Sequence, residues 1–277
     1  MLKQILCYCQ YILPQHLLST LVGKLANSRK PWIKNYFIDY FCRKYAVDLS
    51  EASIENAHDY PTFNSFFTRP LKPGARPIDE TMNGIVSPAD GCVAQLGKIN
   101  GQQLLQAKNM YFNLSTLFGG RAEAGEFANG NFATIYLAPH NYHRVHMPVT
   151  GTLRKSIYIP GNLFSVNRMT SELIPNLYAR NERLVMIFDT TSGPAAVILV
   201  GALICGSMQT VWMKEPLRSA RIEVITPTSE LHLTKGAELG RFQLGSTVIM
   251  LFPSGNLNWV SAPNAEILTG QLLATLN

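Results

Sequence analysis

LVMIFDTTSGPAAVILVGALI, residues 184–204, is the stretch on which the fold class turns. Two apolar runs, 184–188 and 196–204, flank a polar stretch that contains Gly193 and Pro194. Short runs dominated by β-branched and aromatic residues, bounded by Gly and Pro, read as strands. The same pattern recurs at 132–137, 222–225 and 247–252, and it sets in at about Gly84. Upstream the period changes. Leu17, Leu18, Leu21, Val22 and Leu25 follow i, i+1, i+4, i+5, i+8, the spacing of one helical face. After Pro31, a favourable first-turn residue, Trp32, Tyr36, Phe37, Tyr40 and Phe41 repeat it. Such faces either pack on the body or lie on an apolar surface. The reading is α+β: a β-rich body of short, Gly-punctuated strands with an N-terminal helical part. The expected division is residues 1–60 and 61–277.

Composition narrows the class. With 47% hydrophobic and 15% charged residues, the chain suits a compact body and not a disordered one. Residues 1–47 hold seven Lys/Arg and one acid, Asp39, so the entire excess of +6 sits there. A local basic segment points to an anionic partner, acidic lipid or nucleic acid. Five cysteines without a Cys-x-x-Cys pair point to a reducing compartment and not to a disulfide framework. The longest apolar stretch falls short of the ~20 residues a membrane-spanning helix needs.

Three motifs carry chemistry. In Leu244-Gly245-Ser246-Thr247, Gly-Ser is ordinarily a turn. Its chemical alternative is attack of the Ser246 hydroxyl on the unhindered Gly245 carbonyl, giving an ester. β-Elimination then releases the upstream chain, and hydrolysis of the resulting dehydroalanine leaves a pyruvoyl cap and ammonia. Serine needs a base for this. His140, His143 and His146, in HNYHRVHMP, supply candidates. Their i, i+3, i+6 spacing puts all three on no common face of a helix or a strand, which disfavours a metal site, so none is expected. Acid–base work suits imidazole better. Asp90, in SPADG (87–91), is either a turn residue or the acid that orients a histidine toward Ser246.

Taken together, these segments resemble the bacterial phosphatidylserine decarboxylases. FNSFFTRPLKPGARPI (63–78), SPADG (87–91), YLAPHNYHRVHMPVTG (136–151), GNLFSVN (161–167), ARNER (179–183), VGALICGSMQTVW (200–212) and KGAELGRFQLGSTVI (235–249) carry the likeness. Asn109, where the family often has Gly, and Arg168, where other residues are common, depart from it. The resemblance implies a zymogen cut at Gly245–Ser246 into chains 1–245 and 246–277, which stay associated and allow a dimer of the pair. It implies Asp90, His146 and Ser246 as the self-cleavage triad and His143 for the decarboxylation step. Ser246 would become a pyruvoyl group, the covalent cofactor, which forms a Schiff base with the amine of phosphatidylserine. His143 is the expected proton donor, titrating near neutrality. The expected product is phosphatidylethanolamine. A lipid substrate selects an acidic membrane over nucleic acid as the partner, with Lys24, Arg29, Lys30 and Lys34 as docking residues, peripheral on the cytoplasmic face. Three other readings differ in what they require. A pyruvoyl decarboxylase of a soluble amino acid needs no lipid, a phosphocarrier-like β domain phosphorylates a histidine, and a membrane adaptor stays uncut.

Overall fold

A computed structural model of the chain describes residues 2–203, 207–213, 215–217, 219–243 and 246–276. The apolar runs become the centre of a sheet. Arg183–Thr190 and Gly193–Val200 pair antiparallel from Arg183↔Val200 to Thr190↔Gly193, with Thr191 and Ser192 at the turn. Ser246–Phe252 pairs next to Gly193–Val200, and Asn131–Leu137 next to that. Among the described residues nine strands join this sheet, with Gly151–Ile159 and Gly91–Lys98 flanking the central four. Residues 184–188 and 195–200 are all buried, which explains runs without polar alternation: both sheet faces are covered. Each fully buried Leu, Ile or Val there stabilises the sheet by about 1.5–3 kcal/mol. The apolar run 196–204 ends as a strand at Val200, where Asn181 Nδ2 donates to the Gly201 carbonyl and Gly201 N–H to Glu182.

A small three-stranded sheet, in the order Ser207–Thr210, Glu238–Gln243, Arg144–His146, carries the histidine segment. The SPADG glycine is required by close approach. A Cβ at Gly91 would lie 2.3 Å from the Tyr136 carbonyl oxygen, so only Gly lets this strand meet Asn131–Leu137.

Helices α1 (Leu2–Cys9), α2 (Gln15–Ala26), α3 (Pro31–Tyr45) and α4 (Phe63–Phe67) form the N-terminal part. Their placement differs from the periodicity. The covered face of α2 is Gln15, Ser19, Gly23 and Ala26, while Leu17, Leu21 and Leu25 are 60%, 51% and 44% exposed. Hydrogen bonding explains the inversion. Leu163 N–H donates to Gln15 Oε1 at 2.6 Å, and Ser165 N–H to Gln10 Oε1 at 2.8 Å, so two glutamines satisfy a buried loop that leucines could not. On α3, Phe37 and Phe41 turn inward onto Phe63, and Trp32, Tyr36 and Tyr40 face out. A second, smaller core holds Ala26, Ile38, Tyr60, Phe63, Phe66 and Phe67, so α4, beyond residue 60, packs with the helices before it. No helix among the described residues is long and apolar enough to cross a membrane.

Candidate active site

SPADG forms a tight loop: Ser87 Oγ donates to the Ala89 carbonyl at 2.7 Å. The loop presents Asp90 inward, 2% exposed. Its carboxylate accepts from Arg76 Nε and Nη2 and from the Thr269 N–H at 2.9 Å. Arg76 also pairs with Glu51 at 2.9 Å. Asp90 is thus held by Arg76 and is not bonded directly to His146. A guanidinium offers a buried carboxylate two charge-assisted bonds where imidazole offers one, and Arg76 occupies that position.

His146 nonetheless sits on the same loop, because its N–H donates to the Pro88 carbonyl at 2.7 Å. Its ring lies between two other groups. Nδ1 donates to the Gly236 carbonyl at 2.8 Å, which fixes the tautomer. Nε2, left with its lone pair, accepts from the Tyr142 hydroxyl at 3.0 Å. Burial lowers the His146 pKa, opposed by the Gly236 bond and the fields of Glu238 and Asp90. It also raises that of the Tyr142 phenol. The result is a neutral imidazole with its basic nitrogen on a neutral phenol.

His143 lies in a different environment. Fully buried, it stacks on Phe67 with ring centroids 4.0 Å apart. Nε2 donates to the Pro139 carbonyl at 3.3 Å, and Nδ1 has no partner. Burial, reinforced by the charge of Arg69, pushes its pKa down to about 3. The expected titration near neutrality does not hold here. The ring is neutral, and any proton it supplies comes from an N–H and not from an imidazolium. The two histidines thus point to separate surroundings, as odd spacing on an extended segment dictates.

Gly245 lies outside the described residues, and Ser246 is described by its main chain. Ser246 opens its strand opposite Leu137, and Phe242 N–H donates to the His143 carbonyl at 3.1 Å. Segment 137–143 therefore runs alongside the chain on either side of 243–245. Of the four basic residues expected to dock on lipid, Lys24, Arg29 and Lys30 are exposed. Lys34 is not. It is buried and its ammonium donates to the His58 carbonyl, because it lies on the α3 face that packs on the chain at 57–59.

Several residues here escaped the sequence reading. Arg76 and Arg69 lie inside the quoted 63–78 motif and Tyr142 inside the histidine motif, but only tertiary contacts single them out. Arg69 is 3% exposed, with Nη2 donating to the His140 carbonyl at 2.8 Å and Nε and Nη1 unpartnered. Arg144 joins Glu238 at 2.8 Å and the Thr68 carbonyl at 2.9 Å, tying α4 to the histidine strand. A lone charge inside an aromatic or turn-rich motif was the available signal.

Comparison with known proteins places the chain in a family. The family model described as phosphatidylserine decarboxylase matches residues 63–275, and a second model, described as PSD, matches residues 5–46. A phosphatidylserine decarboxylase proenzyme of Alcanivorax borkumensis is 55% identical, the alignment covering 93% of this chain and 89% of that one. Proenzymes of the same name from Pseudomonas putida and Bordetella avium are 51% and 50% identical. Those alignments cover 96% and 98% of this chain, and 95% and 94% of theirs. The chain belongs to the phosphatidylserine decarboxylase family.

Proposed function

We propose that this chain is a proenzyme that cuts itself at Gly245–Ser246 and then decarboxylates phosphatidylserine to phosphatidylethanolamine with a pyruvoyl group derived from Ser246. The observation that carries the reading is convergence on one segment. Residues 137–146 touch the SPADG loop through His146 and Pro88, and the strand ahead of the cut through His143 and Phe242. They also meet the strand that begins the new chain through Leu137 and Ser246. Three motifs distant in sequence thus share one stretch of backbone, as a self-processing site requires.

The roles follow from the surroundings. His146, neutral and with Nε2 carrying its lone pair, is the base for the Ser246 hydroxyl, and Tyr142 gives up its bond as it acts. Asp90 contributes its negative field toward His146, held in place by Arg76. A pyruvoyl group supplies an electron sink for loss of CO2. His143, dry and stacked on Phe67, is the group on the substrate side, where an apolar setting favours release of a charged carboxylate as neutral CO2.

The N-terminal part, residues 1–60, is the membrane-associating segment, and 61–277 is the catalytic part. Supporting this, Leu17, Leu21, Leu25, Trp32, Tyr36 and Tyr40 are all exposed, and Lys24, Arg29 and Lys30 lie beside them. A surface of this kind suits an anionic leaflet. The enzyme is then peripheral, on the cytoplasmic face, with the 1–245 and 246–277 chains associated and able to pair into a dimer.

Intact mass tests the reading. Of the 30.8 kDa, the 1–245 fragment should take about 27 kDa and the 246–277 fragment the rest, the latter with a blocked N-terminus. Purified protein that forms phosphatidylethanolamine while remaining one full-length chain rules the reading out.

A further inference from the structure

A cavity of ≈160 Å³ lies beside the strand end where the 246–277 chain begins, lined by Tyr136, Cys92, Gln106, Lys108, Arg168 and Glu172 among others. Tyr136 pairs across the sheet with Thr247, the residue after Ser246, so the cavity is one register step from the proposed cut. Its size is that of about five water molecules, enough for a small polar head group and not for acyl chains.

The rim is cationic and held in place. Lys108 Nζ and Arg168 Nε both bind Glu172, at 3.1 and 3.3 Å, so two cations share one carboxylate and a positive charge is left over. Their side chains remain 73% and 80% exposed, open to a further anion. Gln106 fixes their spacing. It is 1% exposed, its Nε2 donates to the Ser171 and Ile174 carbonyls at 2.8 Å each, and its Oε1 accepts from Leu177 N–H at 2.8 Å. This pins the hairpin bearing Lys108 to the helix Arg168–Leu173. Lys108 itself, at φ 38°, sits in the two-residue turn between Gln103–Ala107 and Met110–Asn113, which holds it at the tip of the hairpin.

The approach to the rim is apolar. Helix α1 packs against the helix Arg168–Leu173, and the Tyr11 ring packs at a tilt on Phe164, centroids 4.9 Å apart. Tyr8, Ile12 and Leu13 beside them are 55%, 83% and 41% exposed. A membrane engaged by these residues would lie against the element that packs on the helix carrying Arg168.

We propose that this cavity takes the polar head group of the phospholipid substrate, with its phosphodiester on Lys108 and Arg168 and its amino-acid end directed along Tyr136 toward residue 246. This rests on the decarboxylase reading and adds to it the place where the head group binds. The phosphodiester is present in substrate and product alike, so its contacts set affinity and leave the chemical step unchanged.

Lys108→Gln, Arg168→Gln and the double variant test it, with Arg221→Gln as an exposed-charge control. CO2 release is measured on phosphatidylserine in neutral detergent micelles, and sn-glycero-3-phosphoserine is titrated calorimetrically. Each lost cation should raise KM, and the Kd of the soluble head group, by about fivefold. The extent of cutting and kcat should match the parent, and Arg221→Gln should match it throughout. An unchanged KM and Kd in the double variant overturns the proposal. So does a raised KM with an unchanged Kd, which assigns the cations to general surface attraction. Inorganic phosphate binding as tightly as the head group makes the site a phosphate site only. If the parent releases no CO2, the decarboxylase reading fails, and the calorimetric arm still decides whether the cavity binds the head group.

Discussion

Arg76 and Asp90 form a bidentate ion pair withdrawn from water, with Arg76 Nη2 and Asp90 Oδ2 2.6 Å apart and the side chains 12% and 3% exposed. Removing one partner of such a pair strands the other charge, at a cost of about 3–5 kcal/mol. Arg76→Gln should lower stability by that order in urea denaturation, performed in a Ser246→Ala background so that one chain unfolds. Lys72→Gln, whose pair with Glu55 is 46% and 66% exposed, should cost less than about 1 kcal/mol. Equal losses in the two variants would contradict the burial described here.

Asp90→Asn keeps an acceptor for the Thr269 N–H and loses the charge. Because Asp90 reaches His146 through its field and not through a hydrogen bond, self-cutting should slow by far less than the ~10⁴-fold lost when a directly bonded triad acid is replaced. The time course of the 1–245 fragment on a gel measures this. A slowing of the full ~10⁴-fold would mean that Asp90 leaves Arg76 for His146 in the reacting state.

The two histidines should separate cutting from decarboxylation. His146→Ala removes the imidazole that the main chain holds on the SPADG loop and should remain largely uncut. His143→Ala should be cut and then release CO2 poorly, because the dry stack on Phe67 is lost. Ser246→Ala, with no hydroxyl to attack, should do neither. The reverse pattern in the two histidine variants would exchange their roles.

Acid should weaken the fold through His143. Its folded pKa of about 3 lies below the ordinary value of ~6.5 that applies when the chain unfolds. Between those values the unfolded chain binds a proton that the folded one does not. Stability therefore falls as pH drops below about 6.5, by up to ~1.4 kcal/mol per pH unit. His146, also lowered, acts in the same direction. In the uncut Ser246→Ala protein, His143→Gln should flatten the dependence of stability on pH. An unchanged slope would show that His143 is open to solvent.

Sedimentation with phosphatidylserine vesicles should divide the N-terminal residues into three groups. Lys24→Gln, Arg29→Gln and Lys30→Gln should each weaken binding by about 1 kcal/mol at low salt and less at high salt. Leu21→Ser, Trp32→Ser and Tyr36→Ser should weaken it at every salt concentration, since burial of apolar area is not screened. Lys34→Gln should lower thermal stability instead, because its ammonium is committed to the His58 carbonyl. Vesicle binding that none of the first six substitutions changes would make this face ordinary surface.

Much of this protein was legible in the chain itself. The short, β-branched-rich apolar runs at 184–188 and 248–252 suit strands covered on both faces, and the helical spacing of 15–26 and 31–45 is a local property, so both appear where pattern places them. The motifs named the candidate site residues, since the family resemblance is written in contiguous segments. Which way an element faces was not legible. The leucines of α2 point outward because Gln10 and Gln15 are needed by main-chain amides of Leu163 and Ser165, about 150 residues away. Nor was the partner of Asp90, because the choice between His146 and Arg76 depends on distances that only the closed loop sets. The protonation of His143 likewise came from burial against Phe67 and Arg69, both on the turn-rich stretch after α3. Local pattern is governed by the period of the backbone. Facing, pairing and charge state are governed by what the rest of the chain brings within hydrogen-bonding reach, and that is decided when the cores close.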